Sequence, residues 1–129
     1  MLSLELLQKN KTGLSWWAKN YNNASSFDDV EAGSALNVSI YDIMPRLTNE
    51  EFEISEGSVS FTDSVIEVFT NKDDVLVICD GHHRFNSAVK NGHQRVDVIV
   101  KETRVSNLFT GISLFYSLSN DQVSELAAF

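Results

Sequence analysis

The chain has 129 residues, 43% hydrophobic and 22% charged, the composition of one globular domain with a single core rather than of a disordered or fibrous protein. Eighteen acidic residues against ten basic ones give a formal charge of −8. That balance argues against autonomous, tight, non-specific binding to duplex DNA, which needs a basic face to neutralise phosphates. A single cysteine, Cys79, excludes an internal disulfide and a cysteine-based zinc site, and suits a reducing, cytoplasmic setting. No apolar run approaches the roughly 18 residues of a membrane span, and the start MLSLELLQKNK lacks the basic-then-apolar build of a signal peptide.

In chain order, Leu2, Leu4, Leu6 and Leu7 among good helix formers predict a short helix ending near Gly13. Leu14, Trp17 and Tyr21, three and four apart, predict a second over 14–23. Its aromatic stripe is expected to pack inward, although the adjacent Trp16 and Trp17 also suit a base-stacking platform or a partner-facing patch. The polar stretch NNASSFDDVEAGS reads as a link to a main α/β unit. LNVSIYDIM alternates and predicts a strand over 36–44 that stops before Pro45, the only proline. The acidic segment TNEEFEISEGS reads as exposed turn or short helix.

Val65–Phe69 fits a short helix or a strand, followed by a turn at Asn71–Asp74 and a strand Val75–Cys79. That last run is apolar throughout, as in a strand covered on both faces. The segment His82–Asn91 reads as an amphipathic helix stopped by Gly92, and Gln94–Lys101 as a strand with Val96, Val98 and Val100 on one face. Strand, helix and strand with tight joins predict a βαβ unit or a close variant. LFTGISLFYSL is a further apolar run, and Ser119 with Gln122 forms a capping-box pattern opening a terminal helix. The expected fold class is therefore α/β (α+β): a small mixed sheet with a strand–helix–strand core and flanking helices. One domain spans 1–129, with a helical N-terminal extension (1–33), a core (34–101) and a C-terminal extension (102–129).

The chemistry concentrates where the apolar strand meets the helix, in Asp80-Gly81-His82-His83-Arg84. First-turn N–H groups lack intrahelical partners and carry partial positive charge. Gly81 lets a ligand approach the backbone, and His82, His83 and Arg84 add side-chain donors, which together suit a phosphate. Asp80 is useful beside phosphates if it holds Mg²⁺ or binds a hydroxyl. Two other readings stand beside this one. Asp80 caps the helix and the histidines are surface residues, or Asp80, His82 and His83 bind zinc, with His93 distant at the other end of the helix.

The stretch Val75–Val100, with Asp80-Gly81-His82-His83-Arg84, Ala88, Gly92 and the strand Val-Asp-Val-Ile-Val, resembles the ParB/sulfiredoxin-like superfamily. The Asp-Gly-His-His-Arg form is similar to its free-serine kinase branch and to ParB-like domains labelled nuclease-like. Ile40-Tyr41-Asp42-Ile43-Met44-Pro45 loosely resembles an early strand motif of ParB domains. The resemblance implies a nucleotide site at Gly81, His82, His83 and Arg84 for ATP, ADP or CTP, with Mg²⁺ on Asp80. Asp80 and His83 would then act in phosphoryl transfer or nucleoside-triphosphate hydrolysis. It also implies an upstream carboxylate base, for which Asp42, Glu50, Glu51, Glu53 and Glu56 are candidates. The slot of a sulfiredoxin-type cysteine is occupied here by His82, and Cys79, at the end of an apolar strand, is expected to be an inert thiol. The alternative functions are a non-enzymatic interaction or inhibitor module of a mobile element, docking through its acidic surface or Trp16/Trp17, and a ParB-like nuclease.

Overall fold

A computed structural model of the protein describes residues 11–46, 65–106 and 110–128. The leucine-rich start, the acidic segment 48–58 and Glu50, Glu51, Glu53 and Glu56 within it lie outside the described residues. Helix α1 (Lys11–Asn20) continues into a 3₁₀ turn at Tyr21–Asn23, and strand β1 (Ala35–Ser39) follows a turn-rich link. A 3₁₀ turn (Ile40–Asp42) leads to the two-residue strand β2 (Ile43–Met44). Strands β3 (Ile66–Thr70) and β4 (Leu76–Asp80) form a hairpin, and helix α2 (His82–Lys90) leads to β5 (Arg95–Glu102). Helices α3 (Thr110–Tyr116) and α4 (Asn120–Ala127) close the chain. The expected mixed α/β class is what forms.

The sheet order is β1-β5-β3-β4-β2, with β3–β5 and β2–β4 parallel and the other two pairs antiparallel. Two expectations are corrected by this order. The strand read over 36–44 is broken, because Ser39 Oγ accepts the N–H of Tyr41 (3.2 Å) and turns the chain. Its halves then pair at opposite edges of the sheet. Nor do β4, α2 and β5 make a βαβ unit: β3 lies between the two strands, which run antiparallel, and the parallel pair is β3 and β5. The leucine-rich helix expected to end near Gly13 falls largely outside the described residues, while Gly13 itself is buried within α1.

Only Ile40–Asp42 separates the two edge strands. Five flat strands would set their edges about 19 Å apart at the usual spacing, while a 3₁₀ turn advances only about 2 Å per residue. The sheet therefore curls, bringing β1 and β2 toward each other. Inside the curl lie Val38, Ile43, Ile66, Val68, Leu76, Ile78, Val96, Val98 and Val100, closed by Phe85 and Ala88 of α2. On the other face, Met44, Phe69, Val75 and Val77 pack under Leu14 and Trp17 of α1 and Ile112 and Leu114 of α3. Strand β4 is covered on both sides, as its unbroken apolar run requires. Segments 11–33 and 110–128 are thus integral to the second core. Ser15 Oγ donates to Leu126 O (2.9 Å), tying α1 to α4, and Ser119 and Gln122 form the expected capping box.

The hairpin turn is organised by Asn71, which is 0% exposed. Its Oδ1 accepts from the N–H groups of Asp73 (2.9 Å) and Val75 (3.0 Å), and its Nδ2 donates to the hydroxyls of Tyr21 (2.9 Å) and Tyr116 (2.7 Å). Tyr21 in turn donates to Asp73. Burial first, and then the hydrogen bond to Asp73, push the Tyr21 phenol well above its ordinary pKa. One amide thus locks the turn and the two helical segments above it. Asn71→Ala would take the acceptor from the Asp73 and Val75 N–H groups and a donor from both tyrosine hydroxyls, so a loss of about 3 kcal/mol in urea-unfolding stability is expected. A loss below about 1 kcal/mol would show that the network is dispensable.

Candidate functional site at the β4–α2 junction

Strand β4 ends at Asp80, Gly81 turns the chain, and α2 starts at His82. Gly81 is the helix N-cap at φ 107°, a left-handed conformation that glycine adopts without strain. A Cβ at this position would also lie 3.2 Å from the Ile66 backbone, so the site is closed to side chains on two grounds. Because the cap residue has no side chain, it brings none to the first-turn N–H groups. Its carbonyl starts the helix by accepting from Phe85 N (2.9 Å), and Phe85 anchors α2 in the core. Asp80 is therefore not the cap, which corrects that reading, and its residue is exposed.

The donor-rich residues divide in role. His82 is buried, and its Nε2 accepts the backbone N–H of Arg46 at 3.0 Å. That nitrogen carries a lone pair, so it is a tether between α2 and the segment leaving β2 rather than a donor to an anion. Burial, with a smaller push from the Arg46 charge, lowers the His82 pKa to about 4. His83 is half-buried, and its Nδ1 is a buried atom without a hydrogen-bond partner. Arg84 is only 4% exposed and is held by interactions within the chain, so its guanidinium lies within the fold rather than reaching into solvent.

Two residues that the sequence reading passed over belong here. Arg46 is brought to the junction because β2 runs parallel to β4, so both strands leave the sheet at the same end. Its positive charge acts on both His82 and Cys79. Glu67 of β3 stands directly opposite Asp80 in the ladder, with a bulge next to it, and pairs with Lys101 at 3.7 Å. The hairpin turn predicted at Asn71–Asp74 was the available signal, since counting back from it pairs Glu67 with the end of β4. Asp42, by contrast, accepts the N–H of Ser25 (2.9 Å) and precedes Ile43, which pairs with Leu76 at the far end of β4. At about 3.3 Å per strand residue it lies on the order of 15 Å from Gly81. It is therefore out of reach of the motif.

Among the described residues no group of three or more His, Cys, Asp or Glu side chains is arranged to hold a metal. The zinc trio of Asp80, His82 and His83 is not formed, and among the described residues no cluster of three or more carboxylates surrounds Asp80. Burial raises the Cys79 thiol above its ordinary pKa, the state of an inert thiol. The adjacent tryptophans differ in exposure. Trp17 is 0% exposed and donates to Pro45 O (2.7 Å), while half-buried Trp16 donates to Ile43 O (2.9 Å). Together they occupy the carbonyls of Ile43 in edge strand β2 and of Pro45 just beyond it, where an open edge would otherwise invite pairing. Among the described residues no helix is long and apolar enough to cross a membrane.

The depressed His82 pKa fixes a pH dependence. The unfolded chain takes up a proton near pH 6.5 and the folded one only near 4, so stability held above pH 6.5 is lost as pH falls through that window. The loss attributable to His82 is about 3 kcal/mol. His82→Gln keeps an acceptor for the Arg46 N–H without titrating, so its urea-unfolding stability is expected to fall less steeply than wild type between pH 6.5 and 4. Parallel curves would reject the buried neutral imidazole.

The chain matches no family model, no curated protein and no solved structure.

Proposed function

We propose that the chain is a nucleotide (phosphate)-binding domain whose site is the Asp80–Arg84 junction, in keeping with its resemblance to the ParB/sulfiredoxin-like superfamily. The observation that carries this reading is the glycine-only, left-handed cap at Gly81. It leaves the start of a nine-residue helix without a covering side chain at the end of a buried strand. The backbone N–H groups of the first turn would cradle a phosphate. The unpartnered Nδ1 of His83 supports a donor role for that side chain. Arg84 and Arg46 would supply positive charge around it.

The residues present fit Mg²⁺ better than zinc. Magnesium is commonly held by one or two carboxylates together with water and substrate phosphates rather than by a full protein cage. Asp80 and Glu67, opposed across β3 and β4, are such a pair. When bound, the ion would neutralise phosphate charge, the main electrostatic requirement of phosphoryl transfer or nucleoside-triphosphate hydrolysis. ATP, ADP and CTP are the nucleotides to be compared, and Glu67 joins the candidates for a carboxylate acting on an attacking hydroxyl.

Calorimetric titration of ATP, ADP and CTP, with and without Mg²⁺, tests the reading. Wild type is expected to bind one of them, Arg84→Ala to bind it at least about tenfold more weakly, and Asp80→Asn to lose the Mg²⁺ dependence. No heat with any nucleotide from folded wild-type protein would reject the site.

A further inference from the structure

A groove of about 280 Å³ opens between α1 and α2, with Trp16, Pro45, Phe85 and Val89 as apolar walls and Asn86 and Thr12 among its polar groups. This volume is at the small end for ligand pockets. It leaves no room for a partner helix but accommodates one flat ring. The walls are rigidly set. The Trp16 indole is hydrogen-bonded to Ile43 O, stacked on Tyr41 and edge-on to Phe85.

The groove and the junction both lie on α2 and on the chain leaving β2. His82, Phe85, Asn86 and Val89 recur at three, four and seven residues along α2 and so share one helix face. Pro45 lines the groove, and the next residue, Arg46, donates its N–H to His82. The distance along α2 from Val89 to His82 is about 10 Å at 1.5 Å per residue. A ligand filling both places has a flat, weakly polar ring at one end and an anion roughly that far away. The Asn86 amide offers a donor and an acceptor side by side, matching the mixed donor–acceptor edge of a nucleobase.

Resting on the phosphate site proposed above, we infer that the α1–α2 groove takes the base of the bound nucleotide, with Asn86 reading its edge and the phosphates directed along α2 to Gly81. Asn86 and Val89 are thereby specificity residues, and phosphate affinity alone belongs to the junction.

Affinities of ATP, CTP, tripolyphosphate, adenosine and cytidine are compared for wild type, Asn86→Ala, Val89→Phe and Arg84→Ala. Asn86 is only partly buried and belongs to neither core, so its truncation leaves the core intact even where the larger Val89 side chain perturbs folding. The expected result is that the preferred nucleotide weakens about tenfold or more in both groove variants while tripolyphosphate binding is unchanged. Arg84→Ala should weaken nucleotide and tripolyphosphate alike. Unchanged nucleotide affinity in both groove variants overturns the groove assignment while leaving the phosphate site standing. Equal weakening of nucleotide and tripolyphosphate in the groove variants also overturns it, because the groove then acts only through the junction. Should wild type bind no tripolyphosphate, the phosphate reading fails, and the free nucleosides decide the groove. Nucleoside binding lost in Val89→Phe keeps it as a base site, and no nucleoside binding overturns it.

Discussion

Three residues, Ile40–Asp42, join the two edges of the sheet, and the rest of the molecule follows from that short connection. It forces the curl, and the curl creates an inside lined by valines and isoleucines and an outside that needs its own helical cover. It also lays β2 parallel to β4. Two parallel strands leave a sheet at the same end, so the chain emerging at Pro45–Arg46 runs beside the chain emerging at Gly81–His82. The antiparallel partner β3 enters at that same end and contributes Glu67. One topological constraint thus gathers a guanidinium, two carboxylates and a helix start that are far apart in sequence.

The contact that fixes this convergence is the one between the Arg46 N–H and His82 Nε2. An imidazole can accept only while it is neutral, and burial keeps it so. Charging His82 would set a buried cation beside Arg46 and remove the acceptor at the same time. The two indoles reinforce the geometry from the other side by holding the carbonyls of Ile43 and Pro45. Adjacent tryptophans serve this purpose because consecutive helix positions point about 100° apart, so one ring enters each core while both reach the same short edge strand.

Much of this was legible in the residues. The apolar run of β4, the alternation of β5, the amphipathic α2 with its glycine stop and the capping box of α4 each state a local rule that the fold obeys. The breaks came where pairing, not pattern, decides. LNVSIYDIM alternates through a turn because both halves bury one face, and nothing local shows that they belong to different edges. The β4–α2–β5 order is compatible with a parallel pair until the hairpin with β3 takes the intervening position. In the site, Gly81 was readable as the close-approach residue, whereas His82 and Arg84 were read as donors to a ligand because they are polar and early in a helix. Burial, a tertiary property, turned His82 into an acceptor and enclosed Arg84. Glu67 escaped notice because its relation to Asp80 exists only through the ladder register.

The charge of −8 does not conflict with the proposed anion site at the junction, because the two would act over different distances. At physiological ionic strength exposed charges are screened beyond about 8 Å, so the acidic total is felt as a diffuse repulsion while Arg46, Arg84 and the start of α2 act within contact range. On the proposed reading this combination is selective. A nucleic acid meets acidic surface along its whole length and gains little counterion release. A small nucleotide partly neutralised by magnesium would meet that surface only briefly and end at the junction, where Arg46, Arg84 and the first-turn N–H groups of α2 lie together. If the proposed site binds phosphate, an acidic exterior around a junction that carries Arg46 and Arg84 would favour a mobile small ligand over a polymer built from the same phosphates.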